Sequence, residues 1–352
     1  MQGIELSRRF YTEIVAPMMT GLTVAGYSAA LVGTGSEVLG FDTEMSQDHD
    51  FGPRVVLLVD ESDRACIAAI RSGLEQQIPQ HFLGYPVDAG MTRIETFHSF
   101  IDSCLSMDLN KPVELLDWLT FPSQTLLELT SGDVFHDDHG RLSALRSRLR
   151  YYPDDVWLYI MASIWQRIGQ EEHLMLRAGF AGDELGSAVI ASRIVRDIMN
   201  LCFCMERTYA PYPKWFGSAF GRLNCAEAIR PYLWAAQTAA AWRGRESALN
   251  AVYPHLVKQL QSLGVAAGNP QGEAASFYGR PFNVMDGGHI AQLLIESIQD
   301  AALRRFARKC LIGSIDQITD NTDFRTWNHS AERAEEDARG ALKRLYQAMG
   351  YA

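Results

Sequence analysis

The feature that most constrains the fold of this chain is a change in the spacing of its apolar residues near Leu115. Before this residue, short apolar runs suited to buried strands alternate with helical patterns; after it, apolar residues recur mostly at helical intervals. A chain of 352 residues is long enough for two ordinary domains. We therefore predict an α+β protein, with an N-terminal α/β domain that has a small mixed sheet (residues 1–120) and a larger all-helical domain (residues 121–352).

The predicted sheet consists of apolar runs that are bounded by glycine, proline or acidic residues. A helix is expected before the first run, over residues 5–25, and another from Ser62 to about Gln77, since serine is a favoured residue at the start of a helix. The predicted strands are Ser28–Gly33, Arg54–Asp60, His81–Val87 and Thr92–Phe97.

Charge and composition limit the partners of the chain. The formal net charge of -10 argues against nucleic acid as a general partner, because phosphate binding depends on clustered lysine and arginine. No stretch of ~18 consecutive apolar residues occurs, so we expect no membrane span, no signal peptide and a cytoplasmic location. The cysteines form no Cys-x-x-Cys pair and are expected to be reduced thiols among apolar helical residues. The sequence does not determine the oligomeric state, and a homo-oligomer is left open.

The most informative segment begins where the first predicted strand ends, at Gly35-Ser36, and closes on Asp48-His49-Asp50 before the second strand. Residues i and i+2 of an extended segment point to the same side, so Asp48 and Asp50 can share metal ions, while His49 should point away. Two Mg²⁺ ions held by such carboxylates can stabilise the attacking and leaving oxygens of a displacement at phosphorus. The segment therefore predicts a two-metal site.

Gly35 and Ser36 suit the phosphates of a nucleoside triphosphate. Without a side chain at Gly35 the backbone can approach a phosphate closely, and the Ser36 hydroxyl with nearby N–H groups at a helix start can donate to its oxygens. The alternative interpretation is an ordinary turn followed by a polar loop. We favour the nucleotide site, because the side chains of Asp48 and Asp50 are expected on the same side of the extended chain and both residues come shortly before an apolar strand.

The pattern Gly-Ser, a gap, and Asp-x-Asp before a strand resembles the nucleotidyltransferase superfamily. The fuller form GSE-x-x-GFD-x-x-x-S-x-DHD-x-GPR is similar to bacterial nucleotidyltransferase-like proteins with the domain DUF4037. This resemblance implies a polymerase-beta-like nucleotidyltransferase domain, followed by a helical domain that contributes to the acceptor and nucleotide site. It extends to further segments at Asp117–Leu119, Leu129–Phe135, Tyr151–Asp155, Ala210–Trp215, Arg280–Phe282 and Gly313–Gln317.

The superfamily resemblance also implies a third carboxylate on a later strand. Glu95 is the preferred candidate, as metal ligand or as base, because it lies between apolar residues in an extended pattern; Asp88 is the second choice. Lys214, between prolines and Trp215, is a candidate cation for the phosphates. Arg54 and Arg280 are weaker phosphate candidates, since such arginines often form structural ion pairs.

Two further clusters have simpler interpretations. The run His136-Asp137-Asp138-His139-Gly140 contains metal-binding residue types, but adjacent residues of a short turn seldom converge on one ion, so we predict a loop. Asp286, before Gly287-Gly288, is expected to cap a helix.

The sequence therefore predicts an enzyme that uses Mg²⁺ to transfer a nucleoside monophosphate from a triphosphate, with ATP as the expected donor, to a small-molecule acceptor. Two alternatives remain open: transfer to a protein or tRNA, and a regulatory protein that binds nucleotide without catalysis. Neither the acceptor nor the nucleobase preference follows from the residues.

Overall fold

The computed structural model describes residues 2–43, 51–108, 111–266, 270, 272–326 and 338–351. The chain divides into two compact units. The first unit is made of Met1–Val113, Ser123–Arg150 and Thr326–Asp337, and the second of Glu114–Pro122, Tyr151–Arg325 and Ala338–Ala352. Across the described residues, no helix has the length and apolar character needed to cross a membrane.

The first unit contains the predicted small mixed sheet. The strands of this unit are β1 (Tyr27–Leu31), β2 (Val56–Val59), β3 (His81–Phe82), β4 (Tyr85–Pro86), β5 (Arg93–Thr96) and β6 (Asp133–Asp137). In the sheet they follow the order β5-β2-β1-β6, in which β1 is antiparallel to both β2 and β6 and β2 is parallel to β5. A separate two-stranded hairpin joins β3 to β4.

One predicted strand was wrong in extent. The run His81–Val87 was expected to be a single strand, but Leu83 and Gly84 have φ angles of 52° and 88° and turn the chain back on itself. Positive φ is incompatible with a continuous strand. The result is the short β3–β4 hairpin outside the main sheet.

Strand β6 was not predicted. Its residues were assigned to the helical part of the chain and, at His136, to a loop, whereas Ser28 pairs with Asp137 and Ala30 with Val134 across the sheet. Gly132 permits this pairing, since a Cβ there would lie 1.9 Å from the carbonyl oxygen of Leu31. Residues Ser123–Arg150 consequently belong to the unit that contains the sheet, so the compact units do not divide at one boundary after residue 120.

The two faces of the sheet have different surroundings. One face, with Ala29, Leu57 and Ile94, belongs to a buried cluster that also contains apolar residues of the helical segments 3–20 and 67–77. The opposite face carries Arg93 and Glu95, because alternate strand residues point to opposite sides. The helices of this unit are α1 (Gly3–Phe10), a π-helical turn (Tyr11–Val15), α2 (Ala16–Thr20), 3-10 turns at Glu61–Cys66 and Ala89–Met91, α3 (Ile67–Gln77), α4 (Phe97–Leu105), α6 (Ser123–Thr130) and α7 (Arg141–Arg148).

The second unit is mainly helical, as predicted. The long helices α8 and α9 pack together, and the aromatic side chains of Trp157 and Trp165 on α8 are fully buried in the core. Its elements are α5 (Leu115–Trp118), α8 (Asp154–Phe180), α9 (Glu184–Met205), α10 (Pro213–Phe220), α11 (Ala226–Thr238), α12 (Trp242–Leu263), β7 (Ala275–Ser276), β8 (Asn283–Val284), α13 (Gly287–Ser297), α14 (Ala301–Lys309), α15 (Ile315–Ile318), α16 (Thr322–Thr326) and α17 (Ala338–Ala348).

Two smaller predictions are confirmed. The carboxylate of Asp286 accepts a hydrogen bond of 2.9 Å from the backbone N–H of His289 and so caps α13. All six cysteines are free thiols, and Cys202 and Cys204 are buried in α9.

Glu172 on α8 is a buried carboxylate that makes the stability of the second unit depend on pH. It is 1% exposed, and burial raises its pKa to about 8 from a usual 4.5. Between these two values the folded protein keeps a proton that the unfolded chain has lost. The contribution of Glu172 to the free energy of unfolding is therefore largest below about pH 4.5, falls as pH rises, and levels off above about pH 8.

We expect Glu172→Gln to remove this loss of stability. Because each tenfold change in proton affinity corresponds to about 1.4 kcal/mol, the variant should gain a few kcal/mol over the wild type as pH rises from about 5 to 8. Thermal unfolding across that range is the measurement, with the exposed Glu227→Gln as control. If the stabilities of the wild type and Glu172→Gln change with pH in the same way, the raised pKa of Glu172 is contradicted.

Candidate functional site

A cavity of about 420 Å³ lies in the first unit, at the end of the sheet where β1 finishes and β2 and β5 begin. It is bordered by the loop that follows β1, by the first residues of β2 and β5, and by α4 and α6. Of the residues predicted for the site, Arg54 and Glu95 line this cavity, together with Gly33 and Thr34 of the loop that leads to Gly35.

The loop after β1 depends on glycine at two positions. Gly33 and Gly35 have φ angles of 93° and 129°, which side-chain-bearing residues seldom adopt. A Cβ at Gly35 would lie 2.2 Å from a guanidinium nitrogen of Arg54. Ser36 begins a turn that continues to Gly40, where a helix start was expected, and its carbonyl oxygen accepts a 2.8 Å hydrogen bond from the N–H of Phe41.

Arg54 ties this loop to the start of β2. Its Nε donates to Oε1 of the buried Glu37 at 2.9 Å, and its Nη2 also donates to the carbonyl oxygen of Thr34. The two side chains are only 13% and 5% exposed, so the positive charge of Arg54 is balanced at close range. This is the structural ion pair that the sequence left open, and a phosphate contact for Arg54 stays a prediction.

Glu95 projects from β5 beside Arg93. Oε1 of Glu95 forms an ion pair with Nε of Arg93, whose Nη2 donates to the Ser103 hydroxyl at 2.6 Å. The Arg93 guanidinium also lies over the ring of Phe100, 4.9 Å from its centroid. Glu95 is thus held at the cavity wall, and the strand predicted around it is confirmed as β5.

Asp88, the second choice for the third carboxylate, has a different setting. Its carboxylate accepts a 2.8 Å hydrogen bond from the N–H of Gly90 and caps the 3-10 turn before β5. It does not line the cavity. Glu95 is therefore the better placed of the two candidates.

A second carboxylate of the cavity, Glu128 on α6, was not predicted. Burial raises its pKa, while a 2.7 Å hydrogen bond from Gln124 and the charge of Arg54 oppose that rise. Its backbone oxygen accepts a hydrogen bond from Gly33, so α6 also supports the loop. A lone acid in the apolar run Thr125-Leu-Leu-Glu-Leu129 was the only signal in the sequence.

The cavity also contains a thiol. Burial raises the pKa of Cys104 to about 11, so the thiol is protonated at neutral pH. Since the thiolate is the nucleophilic form, Cys104 is a poor candidate for covalent catalysis.

Of the predicted site residues that the structure describes, Gly35, Ser36, Lys214 and Arg280 do not line this cavity. Asp48, His49 and Asp50 fall outside the described residues. Lys214 and Arg280 are exposed residues of the second unit, over the rings of Trp215 and Phe277. The described part of the chain contains no group of three His, Cys, Asp or Glu residues that could hold a metal ion.

The His136–His139 cluster has separate partners for its members. Asp137 accepts from Ser28 and Ser143, while Asp138 pairs with His136 at 2.8 Å. His139 faces Asp60 instead, with a distance of 3.5 Å between Nε2 and the carboxylate. The part of this run before Asp138 is strand β6, where a loop was expected, and its acidic groups are already satisfied by the protein.

Comparison with known proteins identifies a family segment in the chain. The model of the domain of unknown function DUF4037 matches residues 118–216, which confirms the resemblance over that range. The matched range lies outside the segment from Gly35 to Asp50. Curated proteins give no match.

A match among solved structures is the nucleotidyltransferase-like protein from Exiguobacterium sibiricum 255-15. It shares 11% sequence identity, and the alignment covers 86% of this chain and 91% of that protein with a TM-score of 0.31. The likeness is weak at this score, and no residue role is transferred from it.

Proposed function

We propose that this chain is a Mg²⁺-dependent nucleotidyltransferase that moves a nucleoside monophosphate, with ATP as the expected donor, to a small-molecule acceptor and releases pyrophosphate. The observation that carries the proposal is the cavity beside the Gly33–Gly40 loop, with Glu95 at its wall on the strand parallel to β2. The segment with Asp48 and Asp50 joins that loop to β2 in the sequence.

Glu95 fits a hard cation, because carboxylate oxygens are the ligands that Mg²⁺ prefers, and the ion pair with Arg93 engages Oε1 of its two oxygens. Together with Asp48 and Asp50 it would hold Mg²⁺, which supplies positive charge at the reacting phosphate when bound. Arg93 keeps the Glu95 side chain in one orientation through its own contact with Ser103.

The reaction is a displacement at the α-phosphorus. An oxygen or nitrogen of the acceptor forms the new bond to phosphorus, and the bond from phosphorus to the α,β-bridging oxygen breaks, so that pyrophosphate leaves. Glu95 is the group we assign to take the acceptor's proton. The backbone N–H groups of the loop at Gly35 and Ser36 would bind phosphate oxygens, and Lys214 is the proposed further cation.

The proposal is tested with ATP labelled at either the α- or the γ-phosphate, incubated with the protein, Mg²⁺ and a small-molecule extract. Nucleotidyl transfer moves the α-label to an acceptor and releases the γ-label in pyrophosphate. Transfer of the γ-label would instead show a phosphotransferase and overturn the proposal. Repeating the assay with the other nucleoside triphosphates, and with protein or tRNA fractions, identifies the donor and the acceptor class.

A regulatory protein that binds nucleotide without catalysis is the second candidate. The observation that favours it is the Arg93–Glu95 ion pair, which neutralises the proposed third carboxylate. Metal-dependent binding of ATP with no transfer of either label would support this alternative.

We expect Glu95→Gln to lower the rate of transfer by about 100-fold, since the amide can neither accept the proton nor hold a cation with full charge. Asp88→Asn is the matched control, because it removes a nearby carboxylate that does not line the cavity. Single-turnover rates at saturating ATP are the measurement. A larger loss of rate in Asp88→Asn than in Glu95→Gln would show that Asp88, and not Glu95, is the third carboxylate.

A further inference from the structure

We propose that the second unit carries a separate binding site for a planar heteroaromatic molecule, in a cavity formed by α8, the β7–β8 hairpin and the start of α13. The volume of this cavity, about 780 Å³, is within the range of small-molecule pockets. All of its lining residues belong to the second unit. The proposed site shares no lining residue with the cavity of the first unit.

Aromatic rings form one wall of this cavity. The rings of His173 and Phe277 are stacked with centroids 5.0 Å apart and planes only 11° from parallel. Tyr278 meets Phe277 edge to face at 4.8 Å, yet its own side chain is 88% exposed. A large ring left in solvent next to an ordered stack offers a surface on which another planar ring can pack.

The backbone at Tyr278 supports this interpretation. Its φ angle is 50°, a left-handed conformation that is unfavourable for a residue with a bulky side chain. The hairpin maintains this conformation, and the ring stays at the mouth of the cavity instead of packing into the core. Local backbone strain that presents an aromatic side chain is common at ligand sites.

The floor of the cavity is a close contact between two helices. A Cβ at Gly169 of α8 would lie 3.0 Å from the N atom of Gly288, and a Cβ at Gly287 would lie 2.5 Å from the carbonyl oxygen of Trp165. The backbones of α8 and α13 therefore touch. This contact brings the side chains of Gln166 and Gln170 on α8 into one cavity with Asp286, the residue before α13.

Polar groups at the cavity margin define the chemistry of the ligand. Gln166 and Gln170 on α8 each offer a donor and an acceptor, Glu273 offers a carboxylate, and Asp286 offers Oδ2, since its Oδ1 accepts the hydrogen bond that caps α13. Acceptors thus outnumber donors. A ligand with N–H or amino groups at the edge of a flat ring matches both the polar margin and the aromatic wall.

The cavity is supported from beneath. The buried carboxylate of Glu172 accepts a 2.8 Å hydrogen bond from the N–H of Met285, the residue between β8 and the Asp286 cap. This bond fixes the segment that joins the hairpin to α13. The site is therefore preformed, which lowers the ordering cost of binding.

Saturation-transfer NMR on the full chain tests the proposal with adenine, 2-aminopyrimidine and indazole as planar probes and cyclohexylamine as the non-planar control. We expect the planar probes to bind and cyclohexylamine not to bind. Tyr278→Ala should weaken binding by about tenfold, in line with the contribution of ring stacking. Trp234→Ala is the matched control, because Trp234 is a 69% exposed aromatic on α11 outside the cavity.

Two results would overturn the proposal. One is the failure of all three planar probes to bind. The other is binding that Tyr278→Ala leaves unchanged, in particular adenine binding that ATP with Mg²⁺ displaces, since that would place the probe at a nucleotide site. The loss of nucleotidyl transfer activity alone would affect neither outcome.

Discussion

Replacing both Asp48 and Asp50 by asparagine should abolish nucleotidyl transfer, with a loss of at least about 1000-fold in rate. The amides keep the size of the side chains but lose the charge that binds Mg²⁺, and metal stabilisation of the reacting phosphate is worth several kcal/mol. At about 1.4 kcal/mol for each factor of ten, such a loss corresponds to three or more orders of magnitude.

The measurement is α-label transfer by the double variant at saturating ATP and Mg²⁺, with unchanged thermal unfolding as proof of folding. The pair Glu61→Gln and Asp63→Asn, in the 3-10 turn after β2, removes two carboxylates outside the cavity and serves as control. Label transfer that survives in the Asp48→Asn, Asp50→Asn protein would rule out the proposed mechanism.

Glu37→Ala should destabilise the first unit by about 3 kcal/mol. Glu37 is 4% exposed and balances Arg54, so its removal leaves a nearly buried guanidinium without its carboxylate partner. The loop from Gly33 to Gly40 then loses its link to β2, and we expect nucleotide binding to weaken as well.

A double-variant cycle separates the ion pair from simple packing. Arg54→Met combined with Glu37→Ala should be more stable than Glu37→Ala alone, because the second change removes the unpaired charge. Urea unfolding of the wild type, both single variants and the double variant gives the coupling free energy. Additive effects would show that the pair contributes no specific stabilisation.

The parts of the fold that the sequence predicted correctly are those with local signals. β1, β2 and β5 are apolar runs bounded by turn residues, and the helices of the second unit repeat their apolar spacing over several turns. The face of the sheet on which Glu95 lies follows from the alternation of side chains along a strand. Ile94 belongs to the buried cluster, so Glu95, the next residue, points to the opposite face.

The parts that were missed depend on contacts between distant residues. β6 is a short, largely polar strand that exists because β1 supplies a partner more than a hundred positions away, as in the Ser28–Asp137 hydrogen bond with a separation of 109. Glu128 enters the cavity for the same reason, through the support that α6 gives to Gly33. The spacing of residues along the sequence does not indicate such pairings. For this reason β6 was not predicted and Glu128 was not assigned a role in the site.

The partner of Arg54 in its ion pair was also not predicted. The sequence places Glu37 next to Ser36 and Arg54 before β2, but nothing in the spacing shows that the two side chains meet. Gly33 and Gly35 have positive φ angles in the loop that precedes Glu37, and the folded loop brings Glu37 to Arg54. A residue proposed for phosphate binding is therefore also the one that fixes the loop.

The most direct test of the central claim is a crystal structure of the protein with Mg²⁺ and an ATP analogue that has a methylene group between its α- and β-phosphates. We predict that the triphosphate lies in the cavity of the first unit and reaches Gly35 and Ser36 of the adjoining loop, with Mg²⁺ bound by Asp48, Asp50 and Glu95. An analogue bound elsewhere, or bound in this cavity with no metal contact to Asp48 and Asp50, would contradict the account.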